Sequence, residues 1–390
     1  MTMKNVWQTW MGRWHDLPAG TRRKITWSVG LLLIAVYPFI DMGFNLSTLN
    51  AVTDSLVFVV LALGLNIVVG YAGLLDLGYA AFFAIGAYTI GVFTWPTHGL
   101  EWNFWIVIWI CAAVASMFGL VLGAPTLRLR GDYLAIVTLA FGEIVPVAFR
   151  NLNDIHFPLL GINHFNLTNG VQGLNPVGRP QLLGYQFSFD PIPWYFLILA
   201  VGAFAIFASH RLENSRLGRA WMAIREDQTA ADCMGVDPIR TKLLAFAMGA
   251  SFSGLAGAVY AAKLQAIFPE LFKFQVSIMI LCMVILGGMG NIRGVVIGAV
   301  LILFFDRVIL AQSSIIAHSI GQALNIPYLI TLDLSLWRWF FFGVALIIIM
   351  VLRPEGLFPS KARQAELRGV DLAETEDEAG APAQPAPAEV

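Results

Sequence analysis

RAWMAIREDQTAADCMGVDPIRTK, from Arg219 to Lys242, is a polar, basic stretch inside a chain that is otherwise almost continuously apolar. With the residues from Arg211 onward it forms a segment of about 30 residues between two long apolar runs. Ala220, Ala223, Ala230 and Ala231 favour helix and keep one side of it thin, so that another protein can approach closely. Gly235 suits the left-handed position that ends a helix. Asp237 followed by Pro238 reads as a new start, with Asp as the cap and Pro in the first helical position. The local reading is helix, sharp turn, new helix. Such a knob serves either as a topology anchor or as a docking surface for a soluble partner, and the rest of the chain must decide.

Hydrophobic residues make up 58% of the 390 residues and charged ones 13%. Soluble domains average about 45–50% and about 25%. Repeated apolar runs near bilayer length predict an all-α polytopic membrane protein with lipid as its surroundings. A net charge of −1 argues against nucleic acid as a partner. Cys111, Cys233 and Cys282 show neither metal-ligand spacing nor a pairing pattern. No small-residue cleavage site follows the first apolar run, so a cleavable signal is not expected.

Apolar run length places about ten spans, near 25–40, 53–70, 77–95, 104–123, 133–149, 194–210, 243–262, 276–289, 295–311 and 336–352. The pair 276–289 and 295–311 also reads as a re-entrant hairpin. This map puts 18 of the 24 basic residues on one face, including Lys4, Arg22, Arg128, Arg130, Arg293 and the knob's own Arg residues. The other face holds Arg150, Arg179, Lys263, Lys273, Arg307 and Arg338. The bias predicts both termini and the knob (211–242) in the cytoplasm. Residues 1–24, basic and rich in Trp, read as a cytoplasmic or interfacial segment, and 25–360 as the transmembrane domain. The long loop 150–193 then faces outward and carries LTNGVQGL, from Leu167 to Leu174. The acidic, Ala- and Pro-rich residues 361–390 read as a disordered tail.

Small residues at Gly119/Gly123, Gly294/Gly298 and Gly249/Ser253/Gly257 have the spacing of close helix contacts. Two Gly-rich clusters, GYAGLLDLGYAAFFAIGAY (Gly70–Tyr88) and VILGGMGNIRGVVIGA (Val284–Ala299), each join two spans through a short turn, as repeated halves would.

Glu143 is the acid placed well inside a span. Nine strongly apolar residues between Tyr133 and Phe149 contribute about −3 to −5 kcal/mol to insertion, against about +2.5 to +3.5 for a central charge. The carboxylate is therefore expected in the bundle interior with a partner, either as a pathway residue or as an interhelical hydrogen bond. Asn66 is a weaker case of the same kind, and Asp76 is expected to cap the next helix. The six His residues are isolated, no catalytic Ser–His–Asp set or cofactor motif is legible, and no phosphate loop occurs. ATP, if used, must be bound by another chain.

At this point the residues resemble a family. RLRGDYLAIVTLAFGEI (Arg128–Ile144), the two Gly-rich clusters, LTNGVQGL, the knob running into LLAFAMGA, and LRPEGLF (Leu352–Phe358) are similar to the LivM-type permeases of bacterial branched-chain amino acid ABC importers. The likeness covers roughly 50–360. The knob also resembles the importer coupling motif Glu-Ala-Ala-x3-Gly at Ala230, Ala231 and Gly235, although Thr229 stands where Glu would and the downstream Ile-x-Leu-Pro is missing. The resemblance implies a permease subunit without an ATP site, in the bacterial inner membrane. Its implied partners are a related second permease, two ATPase subunits and a periplasmic binding protein. It implies coupling to the ATPase through Ala220, Ala223, Arg225, Glu226, Asp227, Ala230, Ala231 and Gly235. Asn66 and Glu143 remain the pathway candidates on the cost of burying them, and Asn169 and Gln172, on the outer loop, are the candidates for contact with the binding protein. Urea and short-amide permeases share these motifs, and an ion-coupled secondary transporter is the rival from another class.

Overall fold

The computed structural model describes residues 34–44, 48–100, 102–126, 132–157, 162–182, 184–188, 190–324, 334–353 and 356–358. The N-terminal segment 1–24, the first part of the first expected span, Arg128, Arg130 and the tail 361–390 lie outside the described residues. Along the chain run α1 (Ile34–Phe44), α2 (Leu49–Leu65), α3 (Tyr79–Thr94), α4 (Phe104–Thr126), α5 (Asp132–Asn151) and α6 (Pro191–Glu213). They are followed by α7 (Arg216–Glu226), α8 (Gln228–Cys233), α9 (Pro238–Leu264), α10 (Phe274–Gly287), α11 (Ile292–Phe304), α12 (Ala311–Leu324) and α13 (Arg338–Leu352). α2 runs on into a π-helical turn, Asn66–Tyr71, and α11 passes through a second one, Phe305–Leu310, into α12.

Seven of these helical segments are long and apolar enough to cross a membrane. Three shorter apolar helices, α1, α3 and α13, fall where the remaining expected spans lie. Both arms of the uncertain pair reach membrane length, 19 residues for Pro269–Gly287 and 28 for Ile292–Ser319. The 16-residue α3 sits among α4, α5 and α9, which shield its backbone from lipid.

Side chains decide which helices are central. α9 packs on α2, α3 and α4, and small residues make the approach possible. A Cβ on Gly254 would stand 2.6 Å from the Cys111 carbonyl oxygen, and one on Gly257 would stand 2.4 Å from that of Phe83. The Tyr79 hydroxyl donates to the Gly249 carbonyl at 2.9 Å. The expected contacts at Gly119 and Gly294 also form, Gly119 against Phe246 and Gly294 against Gly287. α2 and α9 are largely enclosed, whereas α4, α5 and α6 each leave a long face outward.

At 27 residues α9 is about 40 Å long, so it joins the knob at one end to the loop face at the other. On the loop face the chain forms two short antiparallel pairs, Ile155–Phe157 with Ile162–Phe165 and Gln181–Leu182 with Tyr185–Gln186. Leu174 and Ile267 exchange backbone hydrogen bonds at 3.0 Å, which fastens this loop to the end of α9.

Glycine packing gives a direct test. A Cβ on Gly86 would come within 2.4 Å of the Gly254 carbonyl oxygen, while one on Gly202 meets nothing within 4 Å. Gly86→Val is expected to destabilise the protein by about 1–3 kcal/mol or more, as overpacking does. Gly202→Ala is expected to be neutral or to stabilise by about 0.5–1 kcal/mol through helix propensity. Thermal unfolding of the two variants in one detergent checks both signs.

Candidate functional site

The knob is two helices, not one. α7 is capped by Ser215, whose hydroxyl accepts from the Gly218 N–H at 3.1 Å. It ends at Asp227, whose carboxylate caps α8 by accepting from Thr229 N–H at 2.7 Å and Ala230 N–H at 3.1 Å. α8 closes at Gly235 with φ +87°, and the Val236 N–H returns to the Ala231 carbonyl at 3.0 Å. Asp237 then caps α9, accepting from Ile239 and Arg240, with Pro238 in the first position as expected. The break at Asp227 departs from the single helix expected before Gly235, and its local signal is an Asp before a short polar helix, which favours a cap.

α7 is tied down from three sides. Trp221 is fully buried, and its indole N–H donates to the Thr241 carbonyl at 2.7 Å. Gly218 lies close under the last turn of α6, against the Leu212 and Glu213 carbonyls. The Arg225 guanidinium donates to the Gly70 carbonyl in the first π turn. Ala220, Ala223 and Arg225 are half-buried in this seating, whereas Glu226, Asp227, Ala230 and Gly235 are exposed. Ala231 is only 5% exposed and belongs to the chain's own packing, while neighbouring Met234 is 84% exposed. Lys242 Nζ donates to the exposed Gln228 at 2.7 Å, which ties α8 to α9.

The same corner holds Asn66. Its side-chain oxygen accepts from the Gly290 N–H at 2.8 Å and joins the first π turn to the second Gly-rich cluster. A Cβ on Gly70 would collide with that oxygen at 2.1 Å and with Gly290 N at 2.7 Å. The two Gly-rich clusters therefore meet in space, and Asn66 is a joint between them. Asp76 does not cap α3, whose N-cap Gly78 carries no side-chain cap; one of its carboxylate oxygens accepts from the Gly78 N–H at 2.9 Å and closes the turn before the helix. Its other oxygen is buried without a hydrogen bond, beside a cavity of about 70 Å³ lined by Thr138, Phe141 and Phe246 among others. Burial raises its carboxyl to about 7, against the opposing pull of the Gly78 N–H.

Glu143 departs from expectation. It is exposed rather than interior, and among the described residues nothing bonds its carboxylate. The inward positions of α5 are taken by Leu134, Ala135, Thr138, Gly142, Val145 and Pro146. Glu143 follows Gly142 by one residue, about 100° round the helix, and so turns outward. The buried acid within a long helix is instead Asp306, in the second π turn, beside Arg307 Nε at 3.6 Å and Arg338 Nε at 3.4 Å. Arg307 also reaches Asp54, which pairs with Lys263 at 2.6 Å. The sequence reading counts Lys263, Arg307 and Arg338 only as charges on the outer face, because pairing across residues so far apart in the chain leaves no local pattern.

On the loop face, Asn169 adopts φ +57°, and its amide donates to the Gly173 carbonyl at 2.9 Å, so its side chain holds the turn. Gln172 and Val171 are exposed beside it. Thr168 donates to the Phe149 carbonyl at 2.6 Å and fastens this motif to the end of α5.

Residues 47–350 match the family described as "Branched-chain amino acid transport system / permease component". The chain belongs to this family. The permease is 34% identical to the high-affinity branched-chain amino acid transport system permease protein LivM of Escherichia coli (strain K12), over 87% of this chain and 76% of the relative. It is 28% identical to the probable branched-chain amino acid transport permease protein LivM of Methanocaldococcus jannaschii, over 78% of this chain and 91% of the relative. It is 24% identical to the permease protein LivH of Escherichia coli (strain K12), over 65% and 82%. No solved structure matches the permease.

The Asp76 environment gives the permease a pH signature. The unfolded carboxyl titrates near 3.9 and the folded one at about 7, so folding favours the neutral acid. That stabilisation is complete below pH about 4 and is lost as pH rises through about 7. Asp76→Asn keeps an acceptor for Gly78 but cannot ionise. It is expected to flatten the fall in unfolding temperature across this window and to exceed the parent above pH about 7. Thermal scans of both proteins across that range measure it.

Proposed function

We propose that this permease is one of two related membrane subunits of an ATP-driven importer of branched-chain amino acids in a bacterial inner membrane. Two ATPase subunits power it, and a periplasmic binding protein delivers substrate to the loop face. The observation that carries this reading is the knob: a polar surface seated on the first π turn, α6 and α9, in a chain without a phosphate loop. Family membership and the similarity to both LivM and LivH supply the substrate class and the second subunit. Ten spans with both termini in the cytoplasm are the reading supported by the seven membrane-length and three shorter apolar helices among the described residues, together with the lopsided distribution of basic residues. Reporter fusions that put 211–242 outside, or 150–193 inside, would overturn that orientation.

The surface offered to the ATPase is α8 and the turn after it, where Ala230, Met234 and Gly235 face outward. Transport by proteoliposomes containing both permeases, ATPases, binding protein and ATP is the functional test. Leucine accumulation that needs all the parts supports the reading. Accumulation by this chain alone under an ion gradient supports a secondary transporter, and selectivity for urea supports the amide permeases.

Within that assay, Ala230→Trp adds bulk on the exposed side of α8. It is expected to weaken ATPase co-purification by about 5- to 150-fold, the equivalent of about 1–3 kcal/mol of overpacking. Insertion of the chain should be unchanged. Ala231→Trp is expected to damage the chain's own fold instead, because Ala231 is buried. Gly235→Val strains the left-handed turn and should lower transport more than ATP hydrolysis. Normal ATPase binding and transport in Ala230→Trp and Gly235→Val would reduce the knob to a topology anchor.

A further inference from the structure

We propose that the outward face of α5, carrying Ile136, Val137, Ala140, Glu143, Ile144 and Val147, is the seam against the second permease subunit, with the Glu143 carboxylate inside that seam. The proposal rests on the permease reading above and deepens it by naming the surface.

Three observations lead there. The other face of α5 is already committed. Gly142 packs on Gly78, Thr138 Oγ1 accepts from the Leu77 N–H at 3.1 Å, and Phe141 lies 6.0 Å from the Phe82 ring. At the loop-face end, Arg150 is paired with Glu270 at 2.7 Å. Turning Glu143 inward would break all of these contacts.

Secondly, the carboxylate is far from both helix ends. It lies 11 residues after Asp132 and eight before Asn151, or about 17 Å and about 12 Å along the axis. A glutamate side chain is too short to span either distance, so snorkelling does not rescue it. An ionised carboxylate at the bilayer centre is disfavoured by about 10²-fold, and among the described residues Glu143 has no partner to offset that.

Thirdly, the neighbouring outward faces are of a different kind. α4 presents Ile106, Trp109, Met117 and Val121, and α6 presents Phe196, Phe204 and Phe207, all suited to lipid. Among the membrane-length faces of the described residues, α5 alone exposes an unpaired acid in mid-helix. The occupant is a protein able to offer hydrogen-bond donors or trapped water at that depth. The match to both LivM and LivH points to a related permease rather than a second copy of this chain.

The test uses the assembled transporter with Cys111, Cys233 and Cys282 replaced. Single cysteines at Ile136, Ala140 and Val147 on α5, and at Trp109 and Val121 on α4, are labelled with benzophenone maleimide and irradiated. Expected are adducts with the second permease from α5 positions and lipid adducts alone from α4 positions. Protection of the α5 thiols from the maleimide in the complex, lost when this chain is purified alone, supports the seam equally. Lipid adducts from α5 matching those from α4 overturn it, and so do adducts with a second copy of this chain. Transport and ATPase co-purification are measured on the unlabelled parent. If these are normal while the α5 probes find lipid, only the seam fails. If the parent neither transports nor holds an ATPase, the importer reading fails with it.

Discussion

In hydrocarbon, two helices gain little by hiding apolar side chains from one another's surroundings, so association depends on close van der Waals contact and on hydrogen bonds. In this permease that contact is concentrated along α9. Gly249, Gly254 and Gly257 let the backbones of α2, α3 and α4 approach until added methyl groups would overlap carbonyl oxygens. Tyr79 and Gly249 add a hydrogen bond in the same seam. Because α9 also begins at the knob and ends where Leu174 pairs with Ile267, one packed helix relates the two faces of the protein. The loop face and the knob are thus carried on the same rigid element, although 150–193 and 211–242 look like unrelated loops in the sequence.

Charge is handled in two ways. Near the loop face, Asp54 and Asp306 are surrounded by Lys263, Arg307 and Arg338, from helices early and late in the chain. Acids in a membrane are tolerated when paired in this manner. Such a network is weak support for stability, since desolvation offsets much of the attraction, but it restricts how α2, α9, α11 and α13 can be arranged. Among the described residues Glu143 has no such neighbours, and the proposed seam with the second permease is where the same cost would be met.

What was legible in the sequence was local. Asp237–Pro238, the left-handed Gly235 and the small-residue spacings each follow from a few adjacent residues and appear in the structure, and the apolar runs appear as seven membrane-length and three shorter helices among the described residues. The unread features depend on distance or rotation. Arg225 to Gly70 spans 155 positions, Asn66 to Gly290 spans 224, and neither pair carries a pattern. The side on which Glu143 emerges depends on which face of α5 meets Gly78, and one residue of phase separates interior from exterior. The π turns leave no mark in the sequence, because an inserted residue leaves hydrophobicity unchanged while altering where side chains point.

These joints bear on how a force at the knob would travel. A hinge at Gly235–Pro238 alone would hand a push to α9 and leave the rest of the chain to follow through packing. The structure adds a second route. Arg225 holds the carbonyl of Gly70, and Asn66, one turn earlier in the same π segment, holds the N–H of Gly290 at the entrance to α11. If an ATPase seats on α8 as proposed, displacement of α7 pulls on α2 and on the second Gly-rich turn as well as on α9. A π turn suits that position, because its wider ring leaves carbonyl groups free to accept from outside the helix. Coupling carried by hydrogen bonds through such a joint requires that the joint have two discrete arrangements. Round Gly70 no Cβ fits between Asn66 and Gly290, so the two turns lie in direct contact and a displacement of one bears on the other.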